Sequence, residues 1–442
     1  MSSSPPEETQ DPDASADGAA ISLRILSSLK DVPADKWDTV ANPGWQLGTG
    51  GRLSRTAAPE PIVPPGRSEL ADALGIPDAE HEETAYTPFL SHSFLEALET
   101  AGCATNTTGW LPRHMLLEDA EGNVLGAVPA YLKSHSQGEY VFDHSWADAF
   151  YRAGGDYYPK LQISVPFTPA TGRRFLVGQG INREAGLQAL AAGLVQVCQK
   201  SGASSVHATF LTKPEWEGLG DLGYLRRTDQ QFHWENKGYE SFDGFLDDLA
   251  SRKRKAIRKE RREALSAEGI DVEWVTGADL TEAHWDAFYG FYMDTGSRKW
   301  GRPYLNRKFF SLINERLSEQ TLLVLAKRDG RYVAGALNFI GSETLFGRHW
   351  GCCEHHPFLH FELCYYQAID FAISRGLKRV EAGAQGSHKL ARGYLPTTTY
   401  SAHWIAHEGL HQAVADYLEQ ERFAVERENA ALAEHAPFKK GD

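Results

Sequence analysis

The chain has 442 residues, 42% of them hydrophobic and 24% charged, with 41 Gly and 21 Pro; this is more than one hydrophobic core usually serves, and the composition excludes collagen-like, coiled-coil and wholly disordered chains. Its 59 acidic against 45 basic residues give a formal charge of −14, which excludes a general polyanion-binding or membrane-coating surface and leaves that role to a local basic cluster. Five cysteines with no C-x-x-C pair supply neither a disulfide framework nor a zinc ribbon and suit a reducing cytosol.

Residues 1–20, rich in Ser, Pro and Asp, read as a solvated tail without the apolar run of a secretion signal, and no segment approaches the roughly 18 apolar residues of a membrane span. Ile21 to Leu29 suits a strand, and Asn42 to Glu69 a long loop. Phe89 to Thr100 carries the first helical spacing, at Phe89, Leu90, Phe94, Leu95 and Leu98. Two segments then follow one plan. Leu116 to Tyr131 alternates apolar residues around Glu121-Gly122-Asn123, and Leu325 to Phe339 does so around Asp329-Gly330, the patterning of hairpins. Each is followed by a segment read as a strand, Tyr140 to Trp146 and Thr344 to Trp350, in which a His precedes a Trp. Each then continues into a helix and a further strand, Leu187 to Lys200 with Gly202 to Phe210, and Leu359 to Arg375 with Gly376 to Gly383. The order predicts an α/β fold with mixed sheets, duplicated in tandem. The expected divisions are a disordered tail at 1–20, an N-terminal extension at 21–87, a first domain at 88–236, a basic helix at 237–268 leading into a second domain at 269–410, and a C-terminal helix at 411–442.

Between the repeats, Tyr239 to Leu265 reads as one helix capped near Ser241, with acidic residues early and basic residues late. Arg252 to Arg262 holds eight basic residues in eleven. Leu246, Leu249, Ala250, Ile257 and Leu265 form its apolar seam, interrupted by Lys253. The run is either a solvated face or a cationic wall for a polyphosphate such as coenzyme A or tRNA, with Arg254 and Arg258 as its contacts. Trp285 to Met293 reads as a helix, and Arg298 to Arg302 as a following loop able to clamp a phosphate or carboxylate.

The densest set of reactive side chains comes last. Arg348 to Pro357 is a strand end and loop with Pro357 at the start of the next helix, which carries His360, Glu362, Tyr365 and Tyr366. After the strand Lys378 to Ala382 comes Gly383-Ala-Gln-Gly386-Ser-His388-Lys389-Leu-Ala-Arg392-Gly393-Tyr394. Glycine at a strand end lets a ligand approach the backbone. His356 and His360 are four apart, but Pro357 intervenes and no His-Glu-x-x-His pattern is present, so no metal is expected.

The basic helix, the strand-helix-strand and the Gly-x-x-Gly-x-His-Lys-x-x-x-Gly segment resemble the FemAB-like N-acyltransferases. His360 to Asp370, Glu381 to Gly386 and Tyr140 to Asp148 resemble the branch assigned to peptidoglycan biosynthesis. The resemblance runs from about Phe89 to Phe438. It implies tandem GNAT-like (acyl-CoA N-acyltransferase) domains in a cytoplasmic enzyme that moves an acyl or aminoacyl group from acyl-CoA or aminoacyl-tRNA to a small-molecule amine, with a cell-wall precursor as one acceptor and no tightly bound cofactor. The chain departs from the GNAT pyrophosphate loop, Arg/Gln-x-x-Gly-x-Gly/Ala, where it has Cys353 to Phe358.

Lys389 matches the lysine after the last core strand of the Fem-like motif and is expected to neutralise developing negative charge or a ligand phosphate. His388, His360 and His349 are candidate proton acceptors, with Glu362 and Glu381 as rivals if buried; Tyr365, Tyr366 and Tyr394 are candidate proton donors. Arg254, Arg258, Arg298, Lys299, Arg348, Gln385, Gly386 and Arg392 are expected on the donor; Asp143, His144, Trp146, Tyr158 and Lys160 are expected on the acceptor if the two halves face each other, the alternative being a degenerate first copy kept for packing. The non-enzymatic rival is an RNA-binding or envelope adaptor that uses only the basic helix. Oligomeric state is not legible.

Overall fold

The computed structural model describes residues 21–48, 51–56, 85–266, 269–299, 303–383 and 386–439. The expected tail, part of the long loop, Gln385, and Trp300 to Arg302 lie outside the described residues.

Strands β1 (Ser22–Leu26), β2 (Trp45–Leu47) and β3 (Leu53–Arg55) precede the first repeat, which contributes β4 (Trp110–Pro112), β5 (His114–Glu118), β6 (Val124–Val128) and β7 (Ala130–Lys133). Strands β8 (Lys160–Ile163), β9 (Leu176–Val177), β10 (Ser205–Leu211) and β11 (Leu225–Glu235) follow. The second repeat contributes β12 (Ile270–Thr276), β13 (Thr321–Arg328), β14 (Arg331–Ile340), β15 (Thr344–Cys352), β16 (Arg379–Glu381) and β17 (Leu395–Ile405). The expected hairpins form: β5 pairs antiparallel with β6, and β13 with β14. Asp329 and Gly330 both take positive φ, +50° and +78°, as a two-residue hairpin turn matching the strand twist requires.

In each lobe one strand runs antiparallel to the strand before it in the chain and parallel to the strand beyond the helix. In the second lobe this is β15, between β14 and β16. In the first it is β8, between β7 and β10. Tyr140 to Trp146 is therefore not the counterpart of Thr344 to Trp350: His144–Arg152 is a helix with Asp143 at its N-cap. The His–Trp similarity of the two segments is a coincidence of sequence, but the duplicated strand order stands.

The two lobes are mixed α/β units joined in one sheet of 11 strands, ordered β12-β13-β14-β15-β16-β11-β17-β10-β8-β7-β4. Strand β11, which ends the first repeat, lies against β16, and β17, which ends the second, lies against β10. Their long antiparallel pairing, from Leu225 opposite His403 to His233 opposite Leu395, welds the lobes. A smaller sheet carries β1-β5-β6-β9.

One apolar core joins the helices His92–Thr100, Glu282–Lys299 and Arg307–Leu317 to the sheet through Phe94, Trp285, Phe310, Phe339 and Phe346. The opposite face of the second lobe carries Leu345, Val380, Leu363, Tyr366 and Ile257. The helix Arg183–Ser201 covers the first lobe through Leu190 and Leu194.

The expected basic helix is two helices, Phe242–Asp248 and Ser251–Leu265. Ser241 caps the first by accepting from Gly244 N at 3.1 Å. Leu249 is extended and bridges Phe438, while Ala250 N donates to Pro437 O at 2.9 Å; the C-terminal segment takes over the backbone groups where the helix breaks. Leu265 is exposed, outside the expected seam. The helix Glu282–Lys299 includes Arg298 and Lys299, so the expected loop begins later. Phe358 at φ +61°, not Pro357, turns the chain into the helix that begins at Leu359.

Candidate active site

In the second lobe, β15 and β16 pair through three residues, Thr344, Leu345 and Phe346 opposite Arg379, Val380 and Glu381. Strand β16 then stops, while β15 runs on to Cys352. A register shift between Leu337 and Asn338 of β14 places a bulge at Arg348, and a bulge turns a strand away from its partner. Two glycines border the parting. A Cβ on Gly347 would stand 3.4 Å from the Glu381 carbonyl, and Gly383 has φ +77°, a conformation that favours glycine.

Lys389, on the short 3-10 helix Ser387–Arg392, reaches this place from the face that holds Leu363 and Leu390. It is 2% exposed, and its Nζ donates to Gly383 O at 2.8 Å. Burial lowers its ammonium to about 8, because a low dielectric disfavours the charged form. Gly386 at φ +118° precedes it, and a Cβ there would meet the His388 ring at 2.4 Å. His388 is exposed, with Nε2 2.9 Å from the Tyr365 hydroxyl; burial, then Arg392 and Lys389, hold its ring below the ordinary value. Arg392 donates to His388 O and to Glu260 Oε2, both at 2.8 Å, with its guanidinium 3.4 Å from the Phe361 ring centre. It ties the Lys389 segment to the basic helix.

His360 packs beside Trp350, ring centres 5.1 Å apart, and 6.3 Å from His388. It lines a groove of about 340 Å³ with Trp350, Cys352, His355, Phe358 and Phe361. Glu362 is wholly buried in a widened turn, Glu362–Tyr366. Arg261 Nη2 donates to it at 2.9 Å and Gln367 Nε2 at 2.7 Å, so its oxygens are engaged in holding the basic helix to the sheet. Tyr394 is wholly buried, its hydroxyl donating to Tyr365 O at 3.3 Å and its ionisation suppressed by burial; it is a packing residue closed to any leaving group.

The other expected donor contacts are dispersed. Arg254 pairs with Asp247 at 3.2 Å and Arg258 with Asp243 at 2.9 Å, so the preceding helix neutralises part of the cationic wall. Arg348, at the bulge, donates to Phe167 O and meets Tyr140; it faces the lobe junction, away from the basic helix. The side chains of Arg298 and Lys299, and Gln385 altogether, lie outside the described residues.

The expected acceptor cluster is an interior network. Lys160 Nζ donates to Ser136 Oγ at 2.8 Å, to Glu139 Oε2 at 2.7 Å and to Asp143, which also accepts from the Tyr157 hydroxyl at 2.7 Å. Burial opposes ionisation of Asp143, but Lys160 and His207 outweigh it and hold the carboxyl below its usual range. Lys160, Asp143 and Trp146 are buried; the Lys160 ammonium is fully engaged within the network, while Asp143 Oδ1 and Trp146 Nε1 have no hydrogen-bond partner among the described residues. Tyr158 is half-buried with its hydroxyl on Ser136 at 2.7 Å, and His144 is exposed. Sequence reasoning missed Lys133, Glu139, His207 and His403, which complete this network; isolated polar residues in apolar strands were the available signal.

The equivalent parting in the first lobe is filled. Strand β8 ends at Ile163 opposite Ala208, while β10 continues. Gly172 N donates to Phe210 O at 3.0 Å and Arg174 Nε to Thr209 O at 3.1 Å, covering the vacated strand edge. Arg174 is 2% exposed, with Nη2 on Ala170 O at 2.7 Å.

Among the described residues no helix is long and apolar enough to cross a membrane, and no three His, Cys, Asp or Glu side chains cluster as a metal site. No curated protein matches the chain. Solved structures to which it is similar include one described as FemX, at 14% identity and TM-score 0.47, covering 73% of this chain and 93% of that one. Another is L-PGS from Bacillus licheniformis, at 10% identity and TM-score 0.45, covering 73% and 95%. A third is a tandem GNAT protein from the clavulanic acid biosynthesis pathway, at 12% identity and TM-score 0.44, covering 88% and 99%. The FemAB-like family model, described as peptidoglycan biosynthesis/recognition, matches residues 73–440. The chain belongs to this family and is a transferase.

Proposed function

We propose that the parting of β15 and β16 is the place where an acyl or aminoacyl group passes from a phosphate-bearing donor, acyl-CoA or aminoacyl-tRNA, to an amine on a cell-wall precursor. The observation that carries this reading is the buried Lys389 ammonium on Gly383 O, beside the edge of β15 that its neighbour leaves free. Transfer needs no enzyme nucleophile: the amine attacks the donor carbonyl, a C–N bond forms, and the bond to ribose oxygen or thiolate breaks. A preorganised cation in a partly desolvated site stabilises the charge that develops on the carbonyl or leaving group. The exposed edge of β15 supplies backbone groups to orient the acyl chain, and the aromatic groove beyond Trp350 has room for the donor's remainder.

The test is to mix the full chain with acyl-CoAs and charged tRNAs and follow donor loss together with modification of an amine. Donor consumed only as tRNA or only as CoA identifies it. Lys389→Met, which keeps the buried stem volume, should lower kcat at least about tenfold with its melting temperature nearly unchanged; wild-type turnover by that variant would refute the role of Lys389.

A further inference from the structure

Lys389 approaches the parting from one face of the sheet, and a carboxyl approaches it from the other. Glu381 is the last residue of β16, opposite Phe346 where the strands part. Successive side chains on a strand alternate faces. Val380 enters the core beneath Leu363, whereas Phe346, the partner of Glu381, enters the core that joins the lobes. Glu381 is 5% exposed. The Thr171 amide, on the loop that fills the first lobe's parting, donates to it. Among the described residues its Oε2 has no hydrogen-bond partner, and neither does Nδ1 of His233, whose Nε2 lies 4.0 Å from that oxygen. His233 is the cross-strand partner of Glu381 and belongs to β11 of the first repeat.

Resting on the acyl-transfer reading above, we propose that Glu381 takes the proton from the attacking amine; His233 beside it has its Nε2 on Gln231 Oε1 at 3.2 Å and leaves that carboxyl oxygen unbonded. The other candidates are differently engaged: His360 packs against the rings of Trp350 and Phe361, at 5.1 and 5.5 Å between centres. Glu362 is held by Arg261, and His388 is exposed and bonded to Tyr365. His349 is lowered to about 3 by burial and by Arg348, too weak a base for an amine proton. Glu381 has the opposite character: burial pushes its carboxyl up to about 7, against Arg379 and the Thr171 amide, which matches a base to neutral pH. The charged groups that bear on it are Arg379 on its own strand, Glu235 on β11, Arg348 at the β15 bulge and Arg174 in the first lobe. His233, lowered to about 3, is neutral beside it.

In the step, the amine nitrogen bonds the donor carbonyl carbon and its proton passes to Oε2 of Glu381. The carbon–oxygen or carbon–sulfur bond breaks, and its electron pair leaves with the leaving group. That group takes up one proton and Glu381 later releases one to water, so an acyl donor and an amine give an amide and a protonated leaving group.

The experiment compares wild type, Glu381→Gln and Lys389→Met for donor binding and for kcat against pH. Wild-type kcat should rise with pH through about 7, as Glu381 ionises, and fall again above about 8, as Lys389 loses its charge. Glu381→Gln should lose at least about 100-fold in kcat, lose that rise, and bind donor within about threefold of wild type, which also shows that it is folded. A Glu381→Gln variant with wild-type kcat and an intact rise overturns the assignment while leaving acyl transfer standing. A wild type that turns over no donor overturns both.

Discussion

A buried acid that is hard to ionise should cost the fold free energy, and Glu381→Gln measures that cost without reference to any substrate. Its carboxyl moves from 4.5 to about 7 because it is buried between the lobes. A raised folded value means that the native state favours the protonated form. This contribution is fully present below the unfolded value of 4.5 and is lost as pH rises through about 7. The shift of about 2.5 units corresponds to roughly 3 kcal/mol at pH 8. Glutamine keeps the shape and an acceptor for the Thr171 amide but cannot ionise. It should therefore stabilise the protein by up to about 3 kcal/mol at pH 8 and by almost nothing at pH 4. With an unfolding entropy scaled to 442 residues, that is a rise of about 3 °C in Tm. Differential scanning calorimetry of wild type and variant at both pH values reads it. An equal shift at the two pH values, or a lower Tm at pH 8, refutes the claim that Glu381 is a strained, ionised group in the native protein.

Three further outcomes follow from the geometry. Arg261→Ala leaves Glu362 buried with its main cation gone; the side chains are 20% and 0% exposed, and urea unfolding should show a loss of about 3–5 kcal/mol, largely recovered by adding Glu362→Leu. Lys160→Met strands Glu139 and Asp143 together in the first lobe, and should destabilise the protein by a similar ~3–5 kcal/mol at pH 8, less at pH 4 where those carboxyls protonate. Equilibrium titration should find one donor molecule per chain, abolished by substitutions around Lys389 and untouched by Arg173→Ala in the first lobe; two equivalents would show that the Arg174-filled parting opens.

The parts of the fold that were legible in the sequence are local. Apolar alternation around Glu121-Gly122-Asn123 and Asp329-Gly330 specifies hairpins because turn residues and the period-two pattern act within a dozen positions. The failure at Tyr140 to Trp146 has the same origin. Aromatic and His residues alternate there as in β15, yet Asp143 begins a short helix that buries Trp146 and Ala147. The true counterpart, Lys160-Leu-Gln-Ile163, is wholly buried with polar residues at alternate positions, because the Lys160 ion pairs and the Gln162 bond to Thr209 make those positions habitable. The exchange of β11 and β17 between lobes was not legible, since nothing in either strand names a partner far away in the chain.

At the site, the Gly386, His388, Lys389 and Arg392 cluster was visible as a run of reactive residues after a strand, and the structure places Lys389 at the parting. The cationic run of the basic helix misled in part, because Asp243 and Asp247 lie one helix upstream and only the break at Leu249 folds them back onto Arg258 and Arg254. The significance of Glu381 depends on burial, which the other lobe supplies. Thr171 covers it, and Phe167, four residues earlier on the same loop, accepts from Arg348 at the bulge. Gly172 and Arg174 on that loop close the first lobe's own parting. One loop thus shuts the first opening and builds the far wall of the second. This gives the strand exchange a physical purpose: a sheet continuous through β11 and β17 fixes the loop relative to β16 more rigidly than a hinge between separate domains would. A base whose strength comes from burial needs that rigidity, because any opening between the lobes would admit water and return Glu381 to its ordinary acidity.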